Sequence, residues 1–441
     1  MDRNQQLNQE FFLEYFKQSE KPSSQWALGL EQELIGIWTD QRRRLSFPEA
    51  VEGLLASFAE QYGWQGYLEG GRQVGLKKDG SSVTIEPGSQ LELSCAPFKS
   101  LGEIENLLKT YQSQLQALSQ GKGWTWLSIG YDPFQIPEEI EWVPKKRYQV
   151  MGEYLPTLGK GALHMMKTTC TAQSNFDYAS EADMVLKMRA ATAFAPFLNI
   201  LFATSPFTQG QLADCKSRRG WAWRHMSPQH SGFLDFVFDD DFGYQRYIDY
   251  ILDVPMLVLE RDGEIFDFHG FDFKTYIKEG FGSLQPAADD WKVHLGATFP
   301  VARLRNAIET RTCDAGPMSL LLGQAALWKG ILYDQQSLDW ANDQIDKLGL
   351  AYFKTLHEKS YCSGFDYLKN QRDAEQLMGD FIEVSKAGLE RQGLGESHYL
   401  EPVEQIFSQR QSIADLLILG FHTGQSFEEM FKKQQIVFAE G

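Results

Sequence analysis

Residues 26–38 read WALGLEQELIGIW, and the alternation in this stretch decides the fold. In an extended strand every second side chain shares a face. Trp26, Leu28, Leu30, Gln32 and Leu34 therefore line one side, and Ala27, Gly29, Glu31, Glu33, Ile35 and Ile37 line the other. Two adjacent carboxylates on a largely apolar face admit two readings. Glu usually points to water, which would make this a half-exposed strand. Yet both faces are otherwise apolar, and buried like charges are costly unless a cation compensates them, so a metal site is the better reading.

Further strand patterns occur in 81–94 (SSVTIEPGSQLELS), 165–178 (MMKTTCTAQSNFDY), 256–268 (MLVLERDGEIFDF) and 303–311 (RLRNAIETR), with a hairpin turn at Arg261-Asp262-Gly263. Helices lie between them. Ser46-x-x-Glu49 and Ser100-x-x-Glu103 read as capping boxes opening helices over 47–62 and 102–118, and Ser180 heads another over 181–203. The chain from about Pro317 onward is mostly helical in pattern. Clustered, turn-linked strands without regular strand-helix alternation predict an α+β fold with a largely antiparallel sheet. We read one continuous catalytic domain over 1–441, with a sheet-rich core in 1–315 and a helical part in 316–441.

Composition narrows the function. Hydrophobic content of 43% and 13% aromatics indicate a packed globular protein. A net charge of −17 opposes binding to nucleic acid or an anionic membrane, so neither is an expected partner. The apolar run 191–203 is short, is interrupted by Pro196 and Asn199, and reads as a buried helix. The N-terminal residues show no secretory signal pattern, and a cytoplasmic location is expected. Five cysteines in odd number and without C-x-x-C spacing indicate neither a disulfide framework nor a zinc site.

The second acidic group stands in 81–94, where Glu86 ends a strand, Pro87-Gly88 turns the chain, and Gln90, Glu92 and Ser94 share a face. Alone this is an ordinary amphipathic edge. Joined to Glu31 and Glu33 it supplies four hard oxygen ligands of the kind Mg²⁺ prefers, and Mg²⁺ commonly works on phosphoryl groups. No phosphate-binding glycine loop, H-E-x-x-H or G-x-S-x-G motif is present, so a nucleotide would have to rely on metal and side chains. Thr169, Thr171, Gln173 and Asn175 form one polar strand face, either solvated or a substrate wall. Arg147, Arg219, Arg303 and Arg311 are candidates for holding carboxylates, and Glu309 with Arg311 is equally an internal ion pair. The basic segment 216–225, KSRRGWAWRH, suits an anion pocket.

These residues match a known pattern: the chain resembles the plant-type glutamate–cysteine ligases of the carboxylate–amine ligase group. The resemblance rests on the Glu-x-Glu strand, on E-P-G-x-Q-x-E-L-S at 86–94, on T-C-T-x-Q-x-N at 169–175, and on SEADM, SPFT, FVFDD, DVPM and LYD in order between 180 and 334. It implies a fold similar to glutamine synthetase's, a curved antiparallel sheet forming a funnel. It also implies Mg²⁺ and ATP, with ATP phosphorylating the γ-carboxylate of L-glutamate and the amino group of L-cysteine displacing phosphate to give γ-glutamylcysteine, the first step of glutathione synthesis. On matching positions Glu31, Glu33, Glu86 and Glu92 are implied metal ligands, with Glu31, Glu33 and Arg311 catalytic. Gln90 and Glu309 are implied at ATP, and Arg147, Arg219, Gln173, Asn175 and Trp223 at the amino-acid substrates. Thr168, residues 226–230 and, within 309–316, the neighbours of Glu309, Arg311 and Asp314 depart from the pattern, which leaves a different amine or acid, and a non-catalytic nucleotide- or amino-acid-binding regulator, as alternatives. Oligomeric state is not legible.

Overall fold

The alternating segment forms the strand it predicts, β1 (Leu28–Trp38), the longest described strand and the centre of the main sheet. The structure is a computed structural model that describes residues 6–434 and a two-residue strand at 437–438. Around β1 stand β2 (Gln65–Glu69), β3 (Arg72–Lys78), β4 (Ser81–Ile85), β5 (Leu91–Ser94), β6 (Trp124–Leu127), β7 (Thr171–Phe176), β8 (Ala302–Leu304) and β9 (Ile308–Asp314). Their order is β8-β9-β7-β1-β5-β4-β3-β2, antiparallel at every pairing, while the distal half of β1 pairs with β6. A register shift between Thr310 and Cys313 marks a bulge in β9. Such an extra residue bends a strand and increases its twist.

Helices cover one face of this sheet. We label α1 (Lys146–Leu158), α2 (Ala162–Thr168), α3 (Glu181–Leu201), α4 (Arg218–Arg224), α5 (Ala288–Leu295), α6 (Met318–Leu332) and α7 (Gln335–Ser363). Leu28, Leu30 and Leu34 are fully buried on the covered face, where α6 packs against β1 and β7. Removing such a leucine from water contributes about 1.5–3 kcal/mol. Gln32 shares that face and is also fully buried, accepting from Gln112 at 3.4 Å. The apolar helix α3 is long enough to cross a membrane by length and composition, but it packs inside against α7 and β9. Helix α7 is two segments meeting at Gly349, whose φ of 76° interrupts the helical path. All described elements from Met318 to Lys433 are helical.

Several local expectations need revision. Ser100 and Glu103 form the capping box, and Ser180 caps α3 through the Asp183 amide. Ser46 does not cap: residues 47–51 form a π-helical turn, and Glu49 is drawn away to Arg43 by two hydrogen bonds of 2.8 and 3.0 Å. Residues 165–168 belong to helix α2, so the strand begins only at Thr171. The segment 303–311 is a tight hairpin of β8 and β9, not one strand. The 258–267 hairpin is present, with Asp262 and Gly263 at φ 52° and 81° as its turn demands, but it forms a separate two-stranded sheet.

Candidate active site

The opposite face of the sheet, walled by α1, α2, α4 and α5, is polar because five strands place their alternating polar residues on it in register. Glu33 of β1 lies directly opposite Glu92 of β5, and Glu31 lies between Ser94 of β5 and Gln173 of β7. One strand further, Asn175 lies opposite Glu309 of β9, which in turn faces Arg303 of β8. These residues, except Asn175, floor a cavity of about 460 Å³. Its walls come from Arg147, Tyr148 and Met151 of α1, Met165 and Met166 of α2, Trp223 of α4, and Lys292 of α5.

Three of the four acidic side chains are held by donors of their own. Glu31 accepts from the Gln173 and Asn175 carboxamides at 2.8 and 2.9 Å. Glu33 accepts from the Thr171 backbone N–H at 2.9 Å, and Glu92 from the Ser94 hydroxyl at 2.9 Å. Burial is the main force on their protonation, followed by mutual repulsion. It pushes Glu31 up to about 8 and Glu92 up to about 7, and raises Glu33 well above the usual carboxylate range. Glu86 is raised by burial too, with Lys145 and Arg147 opposing. Glu309 behaves oppositely: despite burial, Arg303, Arg311 and Arg305 hold it at about 2. Arg303 grips it bidentately at 2.8 and 2.9 Å, and Arg311 donates to it as well.

The cavity thus carries acidic and basic groups side by side. Arg303, Arg305 and Arg311 supply one cationic wall, and Arg147 and Lys292 another. The Nε atoms of Arg147 and Arg305 are buried without a partner, so this basic side retains unused donors.

The structure brings together Glu31, Glu33, Glu86, Glu92, Gln90, Gln173, Arg147, Trp223, Glu309 and Arg311 from the sequence pattern, all on the cavity wall. Asn175 reaches the site through Glu31. The expected metal set is narrower than a four-carboxylate cage. Among the described residues no three acidic, histidine or cysteine side chains are gathered tightly enough to hold one ion, and Glu31, Glu33 and Glu92 are each turned toward a donor of their own. Gln90 is committed to the main chain: it accepts from Gly88 N–H at 2.9 Å and donates to the Thr169 carbonyl at 2.9 Å, which fixes the turn carrying Glu86. Gly88 is required there, since a Cβ would stand 2.3 Å from the Lys167 carbonyl oxygen. Arg219 is buried away from the large cavity, donating to the Arg311 carbonyl at 2.6 Å and lining a second, smaller chamber behind Trp223. The departing positions lie off the cavity wall. Thr168 donates to the His164 carbonyl at 2.5 Å, and His230 is buried with Ser227 and the Pro255 carbonyl at 2.8 and 2.9 Å.

Arg305 and Lys292 join the site without a motif to announce them. Arg305 alternates with Arg303 in 303–311, which is a usable signal, whereas Lys292 sits on an isolated helix with none.

Residues 27–432 match the model of glutamate–cysteine ligase family 2. The chain belongs to this family. Family relatives include the chloroplastic glutamate–cysteine ligase of Brassica juncea, 34% identical over 432 residues that cover 97% of this chain and 84% of the relative. The Arabidopsis thaliana enzyme is 33% identical over the same length, covering 97% and 83%. Among solved structures, glutamate–cysteine ligase from Francisella tularensis in complex with AMP superposes with a TM-score of 0.52 at 12% identity, covering 93% of this chain and 87% of that one. At that identity the likeness speaks for the family's fold alone.

Oxygen donors of this kind fit Mg²⁺. The ion typically takes one or two carboxylates and completes its shell with water and phosphate oxygens. Glu33 and Glu92, opposed and raised in proton affinity, are the pair whose repulsion a cation would relieve.

Proposed function

We propose that this family member joins the γ-carboxylate of L-glutamate to the amino group of L-cysteine at the expense of ATP. The γ-carboxylate oxygen takes the terminal phosphoryl group and ADP leaves; the amine then attacks the acyl carbon, phosphate departs, and the nitrogen loses a proton. The observation that carries this reading is that one cavity gathers the carboxylates Glu31, Glu33, Glu86 and Glu92 with the cations Arg147, Lys292, Arg303, Arg305 and Arg311.

Mg²⁺, held by Glu33 and Glu92 with Glu31 and Glu86 nearby, would supply neutralisation of phosphate charge. The remaining work falls to the chain's own groups. Arg311 and Arg305 face the cavity beside Glu309, to which Arg311 donates, and can stabilise negative charge developing there. Arg147, with an unused buried donor, is placed to grip a substrate carboxylate. Gln173 and Asn175 hold Glu31 fixed, and the methionines and Trp223 exclude water from one wall. Excluding water protects an acyl phosphate from hydrolysis.

Cysteine is the acceptor we favour, because the departing positions Thr168 and His230 stand outside the cavity wall. The test is an amine screen with purified protein, glutamate, ATP and Mg²⁺. Cysteine-dependent ADP release exceeding that of every other amine is expected; no amine-dependent ADP release with any amine contradicts the ligase reading.

A further inference from the structure

Arg44 stands on a two-residue strand that pairs with the distal end of β1, and its side chain is 2% exposed; that of Asp132 beside it is 1% exposed. Neither lines the large cavity. Arg44 Nη2 and Nε donate to one oxygen of Asp132 at 2.8 and 3.2 Å, and the other oxygen accepts from the backbone N–H groups of Phe134 and Gln135 at 2.9 and 3.0 Å. Replacing a buried ion pair by apolar residues is often neutral or stabilising, so stability alone is a poor reason for this one. What the guanidinium reaches beyond Asp132 supplies a better one.

Arg44 Nη1 donates to the Gly88 carbonyl at 3.2 Å, and Nη2 donates to the Lys167 carbonyl at 3.3 Å. Gly88 belongs to the turn that carries Glu86, and Lys167 to the last turn of α2. A helix leaves its last four carbonyls without partners of its own. In α2 these belong to Met165, Met166, Lys167 and Thr168, and each is met. The Thr169 hydroxyl donates to Met165 at 2.6 Å, Gln90 to Met166 at 3.3 Å, Arg44 to Lys167, and the Asp132 N–H to Thr168 at 2.8 Å. The end of α2 is thus fastened to the turn under Glu86 and to the Arg44–Asp132 pair. Strand β7 begins directly beyond it at Thr171, whose N–H holds Glu33. One guanidinium therefore ties the turn under Glu86 to the segment that fixes Glu33.

Resting on the Mg²⁺-dependent ligase reading above, we propose that Arg44 and Asp132 are a positioning pair: without touching substrate they fix Glu86 relative to Glu33, and so set the affinity of the acidic cluster for a divalent cation. Residues that order metal ligands from behind typically carry roughly 10–100-fold in affinity. The shape of the guanidinium matters as much as its charge, because lysine presents one nitrogen in place of the three that reach Asp132, Gly88 and Lys167.

The test measures the dissociation constant of Mn²⁺, added alone and read from the electron paramagnetic resonance of the free ion, in the wild type, Arg44→Lys and the double variant Arg44→Met/Asp132→Asn. Glu33→Gln shows the effect of losing a ligand. Asp132→Asn keeps an oxygen for the Phe134 and Gln135 N–H groups, so the double variant removes both charges and leaves neither buried alone. It should fold with a Tm near the wild type and bind Mn²⁺ about tenfold or more weakly. Arg44→Lys keeps a charge beside Asp132 and should also bind more weakly, with its Tm preserved. In the double variant, hydrogen exchange at the Gly88 and Thr171 amides should speed up about tenfold or more while α3 and α7 keep their protection. A purely structural role would leave Mn²⁺ affinity in the folded variants within about twofold of the wild type. That result overturns the proposal, as does unchanged exchange at Gly88 and Thr171. Should the double variant not fold, Arg44→Lys carries the comparison. Mn²⁺ binding needs no turnover, so the ligase reading can fail in the amine screen while this comparison still decides. A wild type that binds no Mn²⁺ overturns the proposal whatever the screen shows.

Discussion

Glu33 and Glu92 are directly opposed residues of neighbouring antiparallel strands, so a buried and a half-buried carboxylate confront each other across the β1–β5 pair. Like charges so placed destabilise a sheet. The fold tolerates them by protonation or by a cation. Raised folded-state affinities mean that the native protein binds more protons than the unfolded chain from about 4.5, the ordinary value, up to about 7 for Glu92 and about 8 for Glu31. These groups therefore contribute stability that falls as pH rises through that window. Metal-free protein should lose Tm between about pH 5 and about pH 8 on this account, and Mg²⁺, which competes with those protons, should raise Tm more at about pH 8 than at about pH 6. Thermal melts with and without Mg²⁺ check it; an equal Mg²⁺ effect at both values would be the contrary result.

Glu33→Gln removes one charge of the opposed pair while keeping its shape and an acceptor for Thr171 N–H. Turnover should drop by more than about 100-fold, since even groups supporting metal ligands typically cost 10–100-fold. The circular dichroism spectrum and Tm should be preserved or improved, because a repulsion is relieved. Activity near wild type would remove Glu33 from the metal assignment.

Arg303→Met leaves Glu309 buried with Arg311 as its remaining close partner. The side chains of Arg303 and Glu309 are 9% and 4% exposed. Breaking a buried pair from one side costs roughly 3 kcal/mol or more. Denaturant unfolding should show that loss, and Glu309→Gln added to Arg303→Met should restore part of it. Full additivity of the two substitutions would contradict the coupling.

Gly88→Ala places a Cβ against the Lys167 carbonyl and so displaces the turn that carries Glu86. We expect a folded protein with a weakened Mg²⁺ dependence, seen as a higher Mg²⁺ concentration for half-maximal rate. An unaltered Mg²⁺ curve would show that the turn does not position Glu86 for the metal.

The site is legible in the sequence where one sheet face is polar and the other apolar. Residues 28–34 alternate because one side packs against α6 and the other faces the cavity, and that alternation alone puts Glu31 and Glu33 together on the cavity side. The turn between β8 and β9 falls at residues 305–307, with no glycine or proline to mark it, so 303–311 reads as one strand although it is a hairpin. Edge strand β2 is mostly exposed and carries Gln65, Gly66 and Glu69, which give no apolar period. The opposite failure occurs at α2, a seven-residue helix too short to show a helical period beside the strand that follows. Arg44 and Asp132 are invisible as a pair for a different reason. They stand 88 residues apart along the chain, and only the pairing of residues 43–44 and of β6 with the distal half of β1 brings the two together.

The central claim is that the γ-carboxylate of glutamate is activated by phosphorylation. Turnover of glutamate labelled with ¹⁸O in that carboxylate, in the presence of ATP, Mg²⁺ and cysteine, tests it most directly. The account predicts that each phosphate released carries one ¹⁸O atom and that γ-glutamylcysteine forms in equal amount. Unlabelled phosphate accompanying γ-glutamylcysteine would contradict it.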